Sequence, residues 1–481
     1  MTKRAWIGSL VILAISGAAL ADRLMPPGPP LPSPDRAAEP GGIWVCPVVK
    51  VAGAAGYIHL ANSGDAPASV RISYVPDTGK LVEQAVAVQP MRATTVGSPG
   101  SLIAKGAGAI VEFAGGELTV SRTALIGGAG SIAGIGAISA GAASCSRPGG
   151  VVQVVPQGST VRAETQLVLL NPGIADAVVD IALLVGGQKV RPVSLQGRVV
   201  PARRRLVVRE GDFAFDARSV AASVTARTGR VVTDAIAVTT SYVDLIAGQN
   251  ATRDLVALAS SARGGATFST VAIGDDDAVI AAGILASGGR TAYGPLIPAL
   301  PPNEPQVYSL AADEVPAGAI ALATVSKTAA IATGSRWVVQ ATSGRRDSAV
   351  ASGAQPSHDA VAVLGPPATP GGMRVLVANP DEAEAAIDVT VITESGALQP
   401  AELQGYRLGP GRTATLTLRG IPKTGTIGVA ISSAGARVAA VLEAVTGLPG
   451  SFAAYAATAV PLVLGLPVGI EADSRQGVPA R

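Results

Sequence analysis

The sequence predicts an all-β chain of tandem Ig-like β-sandwich repeats, each of about 105 residues, behind an N-terminal transmembrane helix. A β-propeller in which each repeat counts as two blades is the alternative. Three observations predict it. One phrase recurs along the chain, apolar residues alternate within it at period two, and turn residues recur about every 8–12 positions.

The recurring phrase reads NPGIADAVVDIALL at 171–184 and NPDEAEAAIDVTVI at 379–392. Aligned without gaps, 171–197 and 379–405 share nine of 27 residues. A third copy, LANSGDAPASVRISY, places Asn62 where the others have Asn171 and Asn379. Eight, ten and twelve residues past each Asn stand Val70, Ile72 and Tyr74; Val179, Ile181 and Leu183; Ile387, Val389 and Val391. Polar Arg71, Asp180 and Asp388 interleave with them, so the pattern is a strand with one face on a core. A second alternating strand precedes each Asn, through Ile58 and Leu60, Leu167 and Leu169, Val375 and Val377. The Asn is read as the turn of a hairpin, its side chain bonding its own backbone. Pro-x-Arg follows in each copy as Pro90 and Arg92, Pro201 and Arg203, Pro410 and Arg412. Two further strands then flank tight turns near Gly116, Gly229 and Gly435. A degenerate copy at about 268–337 lacks both the Asn and the Pro-x-Arg. The spacing accommodates it: 62 to 171 is 109 residues, and 171 to 379 is 208.

The N-terminus is a separate element. Lys3 and Arg4 precede the uncharged run AWIGSLVILAISGAALA at 5–21. It is read as a signal anchor with its basic end inside, or as a signal peptide cleaved after Ala21. The Pro-rich stretch at 22–40 suits a stalk. The expected order is therefore 1–21 anchor or signal, 22–40 linker, repeats at 41–145, 146–255, 256–355 and 356–470, and a tail at 471–481. Everything after residue 22 would lie outside the cell. An oxidising compartment lets Cys46 and Cys145, the only cysteines, form a disulfide; two free thiols are the competing reading. The apolar stretch 124–144 is read as a Gly-rich loop with a strand. The stretch 451–470 is read as terminal strands, with a second membrane contact as the other reading.

The segments WVCPV, CSRPGG and LVLLNPGIADAVVDI…LQGRVVPARR resemble an actinobacterial exported, membrane-anchored family known only as a domain of unknown function (family 5719). The resemblance spans most of residues 40–465. It implies a cell-envelope setting beside a membrane glycosyltransferase or another envelope protein, and it supplies no catalytic residue.

Chemistry-bearing residues are sparse. Charged residues make up 15% of the chain and aromatics 3%; the net charge of +3 is too small to imply nucleic-acid binding, no basic cluster is interleaved with aromatics, and no nucleic-acid partner is expected. His59 fills the strand slot of Val168 and Leu376, and His358 lies in a linker-like stretch. Asp275, Asp276 and Asp277 lack the spacing of a calcium loop and are read as a solvated turn. Arg203, Arg204 and Arg205 are read as an exposed strand entry, with anionic polymer binding as the other reading. No metal-ligand spacing, nucleophile elbow or phosphate loop occurs, so no cofactor is expected. The expected function is a non-enzymatic, membrane-tethered scaffold of envelope assembly, single-pass through residues 5–21 with its bulk outside. The alternative is a cell-wall glycan-binding module.

Overall fold

Val, Ile, Leu, Thr and Ala crowd onto segments of two to eleven residues, and each becomes a strand. The computed structural model describes residues 41–462, apart from 53, 103, 128–136, 187, 239–242, 261–264, 275–276, 292–298, 312–317, 341–345, 366–371, 419, 422–424 and 447–452. The expected anchor at 5–21, the linker and the tail lie outside the described residues. No helix among the described residues is long and apolar enough to cross a membrane.

Each repeat folds as two small antiparallel sheets. In the first repeat the leading sheet runs Gly41–Lys50, Ala107–Ala114, Ala68–Pro76, Val82–Val88. The closing sheet runs Ala137–Ser144, Leu118–Gly127, Ala55–Asn62, Arg92–Gly97. The other three repeats follow the same plan, including the degenerate third. The stretch 124–144 thus contributes parts of two strands, and 451–470 contributes Ala453–Thr458 and Val460–Pro461.

The sandwich expectation fails at the outer faces of these sheets. In a sandwich, one face of each sheet meets water. Here both faces are covered. Leu167 and Leu169 pack into their own repeat, while Leu170, from the same strand, packs with Ile43, Val45 and Ile110 of the first repeat. Val154 and Leu184 of the second repeat meet Val271 and Ala332 of the third. Leu376 and Ala378 of the fourth meet Val256 and Leu258 of the third. Ala61 and Ala93 of the first meet Val363 and Ile392 of the fourth, which closes the circle. The eight sheets therefore stack face to face in a ring, a β-propeller arrangement with two blades per repeat. Burying each such Val, Leu or Ile contributes about 1.5–3 kcal/mol, so the joints between repeats are held by the same force as the repeats themselves.

The turn asparagines also need correction. The strands before and after Asn62, Asn171 and Asn379 belong to different blades, so each Asn sits at a crossover and not in a hairpin. All three are buried. Asn171 Nδ2 donates to the carbonyls of Ala175 (2.8 Å) and Val200 (2.9 Å), and Oδ1 accepts from Gly173 N (2.8 Å). Asn62 and Asn379 repeat that pattern on Ala66, Val88 and Gly64, and on Ala383, Leu408 and Asp381. A chain leaving one sheet for the next would otherwise leave these backbone groups dry and unpaired.

The Pro-x-Arg arginines join repeats. Arg203 reaches Glu112 of the first repeat at 2.9 Å, and its neighbours Arg204 and Arg205 reach Gly79 O (2.6 Å) and Asp77 (3.0 Å). This triplet is a staple between repeats rather than a free strand entry. Arg92 makes the equivalent reach across the ring closure, donating to Glu394 O at 2.6 Å.

Candidate functional site

The strand that ends each repeat lies innermost. Ala137–Ser144 packs on Val243–Ala247, which packs on Arg346–Ser352, which packs on Ala453–Thr458, which returns to Ala137–Ser144. Four strands meeting on one axis leave space only for small side chains, and these segments are rich in Ala, Gly and Ser. A Cβ at Gly141 would stand 2.7 Å from Val243 O, so that position requires glycine.

The last residues of these strands, Ser144, Ala247, Ser352 and Thr458, form a ring of hydrogen bonds. Ser144 Oγ donates to Thr458 O, Thr458 Oγ1 to Ser352 O, and Ser352 Oγ to Ala247 O. Ala247 has no hydroxyl to complete the circle. Arg122 does so instead, donating from Nη1 to Ser144 O at 2.8 Å. Its Nη2 pairs with Asp234 at 2.5 Å, both side chains fully buried. Burial raises the Asp234 carboxyl even with the guanidinium beside it.

Around this ring and beyond it lies a cavity of about 320 Å³. That is the lower end of the ~300–1,000 Å³ typical of small-molecule sites. Its wall carries Ala143, Leu245, Val350 and Ala456, and every repeat contributes to it. Three positions past the ring stand Arg147, Asn250, Gln355 and Pro461, one from each repeat, and all four line the cavity. The backbone is pseudo-fourfold here; the chemistry is not.

Two contacts place Arg147. The Cys46–Cys145 disulfide, with Cα atoms 4.8 Å apart, ties the opening strand of the first repeat to the end of its last one. The backbones of Val45 and Ser146 pair directly beside it. Trp44 is buried, donates from Nε1 to Leu118 O at 2.8 Å, and offers its ring face to the Arg147 guanidinium 4.8 Å away. Burial lowers the Arg147 guanidinium, but an arginine stays charged in proteins. Across the cavity, Gln153 Nε2 donates to Asn250 Oδ1 at 2.5 Å, which occupies the acceptor of Asn250 and leaves its NH₂. No Asp or Glu lines the cavity among the described residues.

The residues singled out from sequence fall elsewhere, apart from the disulfide. Cys145 lines the cavity, whereas Asn62, Asn171 and Asn379 do not. His59 is buried at the joint between the first and fourth repeats. It bonds Thr95 (2.7 Å) and Thr123 (2.8 Å), and burial pushes it down to about 3. His358 lies outside the cavity, its Nδ1 3.0 Å from Ser433 O. Asp275 and Asp276 lie outside the described residues, and no group able to hold a metal occurs among those described. Sequence reading passed over Arg147, Asn250 and Gln355. Their signal was positional: each follows a closing strand by the same three residues.

Residues 350–465 match the model of a family of unknown function (DUF5719). The match covers the end of the third repeat and the fourth. No curated protein matches the chain. Among solved structures, Thermotoga maritima 1070 overlaps 23% of this chain and 97% of its own, at 15% identity and a TM-score of 0.19. A Ca²⁺-stabilised adhesin with which an Antarctic bacterium binds ice overlaps 88% of this chain and 99% of its own, at 13% identity and 0.11. Streptomyces avermitilis α-L-rhamnosidase complexed with L-rhamnose overlaps 78% and 54%, at 11% identity and 0.15. Overlaps this loose carry neither fold nor activity across.

Proposed function

We propose that this chain is a glycan-binding module of the cell envelope, with the axial cavity as its seat. The observation that carries the reading is the lining. Hydroxyls and amides from different repeats face one concave space beside apolar patches, and no carboxylate joins them among the described residues. Sugars present that combination of hydroxyls and apolar C–H faces. Glycoside hydrolysis ordinarily needs two flanking carboxyl groups, which this lining does not supply, so binding fits it better than cleavage. The uncharged run at 5–21 supports tethering on the outer face of a membrane, where wall polymers are within reach.

The test is co-sedimentation of the full-length chain, in detergent, with purified cell-wall glycan. Saturable binding weakened by Gln355→Ala or by bulk at Ala143 supports the reading. Saturable binding indifferent to both changes removes the cavity from it. A chain that stays in the supernatant with every glycan, while envelope proteins co-purify with it, returns the scaffold reading.

A further inference from the structure

The charge at the cavity mouth is unbalanced in one direction. Arg147 is the only lining residue among those described that carries a charge, and its guanidinium makes no hydrogen bond or ion pair among the described residues. Its guanidinium carbon lies over the Trp44 ring, 4.8 Å from the centroid, a contact that uses none of its N–H donors. Asn250 has its acceptor occupied by Gln153 and retains two donors. Ser144, Ser352 and Thr458 spend their protons on the ring. The mouth thus offers a fixed cation and free N–H donors without a protein acid to satisfy them; the unpaired acceptors of two lining residues, Gln153 Oε1 and Gln249 Oε1, are both buried.

We infer that the ligand of this cavity is an anionic sugar unit, its carboxylate or phosphate held by the Arg147 fork and the Asn250 amide. This rests on the glycan reading and narrows it. A planar guanidinium stacked on an indole is preorganised for bidentate recognition of an oxyanion, so less side-chain freedom is lost on binding. A neutral sugar would leave the guanidinium without a charged partner.

The experiment titrates the full-length chain with three probes: a uronic-acid trisaccharide, the same trisaccharide reduced to neutral hexoses at its carboxyls, and a hexose phosphate. The acidic trisaccharide should bind at least roughly tenfold tighter than its reduced form, a difference that added salt diminishes. Arg147→Gln should erase the difference, and Arg147→Lys should keep part of it. Should Arg147→Gln fail to fold, Asn250→Asp tests the same point. Asn250 is exposed, the carboxylate keeps the Gln153 bond, and anion binding alone should fall. Preference for the hexose phosphate over the uronate still supports an anionic unit and names phosphate as its source. Equal binding of the acidic and reduced trisaccharides overturns this inference and leaves the glycan reading standing. Binding of none of the three overturns both.

Discussion

Ser144 Oγ donates a hydrogen bond to the carbonyl oxygen of Thr458, 314 residues further along the chain. The same bond recurs from Thr458 to Ser352 and from Ser352 to Ala247. A link that first joins neighbouring repeats thus also joins the last to the first. Ring closure is one more copy of an ordinary joint, assisted by Arg92 on Glu394 O.

Ser144→Ala should leave the Thr458 carbonyl without this buried donor. The expected loss is about 1–3 kcal/mol, read as a lower midpoint in chemical denaturation. Because the blades stack in a closed ring, the transition should stay single rather than split into repeat-by-repeat steps.

Replacing Cys46 and Cys145 by Ser opens a loop closed across 99 positions. The expected cost is about 2–5 kcal/mol. Calorimetry should show the whole transition moving down. A separate early melting of the first repeat would mean that the repeats are independent, contrary to the shared cores at Leu170 and at Val363.

Glu210 is buried, and its Oε2 has no hydrogen-bond partner among the described residues. Burial raises its pKa from 4.5 to about 8. The fold therefore holds a proton that the unfolded chain releases above pH 4.5. This contribution is complete below about 4.5 and disappears as pH rises through about 8, at most roughly 5 kcal/mol in all. Glu210→Gln should flatten stability over that window, measured by urea denaturation at a series of pH values.

His59 has the opposite sign. The fold keeps it neutral, while the unfolded chain takes up a proton near 6.5. Its contribution is intact above about pH 6.5 and is lost as pH falls toward about 3. His59→Leu, which copies Leu376 of the fourth repeat, should remove this acid sensitivity. It should also cost stability at pH 7, because Thr95 and Thr123 each lose a partner. Parallel acid profiles for the two proteins would show that His59 is solvated in the native state.

Much of the strand content was legible. The apolar positions eight, ten and twelve past each Asn all face a core, and the glycines at 116, 229 and 435 all take positive φ. The third repeat keeps the fold without its asparagine. Gly274, with φ of +144°, stands after the strand Ala266–Ile273, and Asn303 donates to its carbonyl at 2.6 Å. The sequence also carries one signal of two-sided burial. LVLL at 167–170 and VLVA at 375–378 are continuous apolar runs, which belong to sheets covered on both faces.

The sequence by itself determined the repeat, its approximate length, the alternating strands and the single possible cysteine pair, because period, turn chemistry and count are local properties of a chain. Tertiary structure decided which sheet each strand joins, that the repeats close into a ring, and that Arg147, Asn250 and Gln355 come to one mouth. Pairing partners are chosen by surfaces that exist only once neighbouring strands are in place. A residue such as Val168 or Leu170 looks the same in the sequence whether its outer face meets water or another blade, and only the burial that closure brings separates the two.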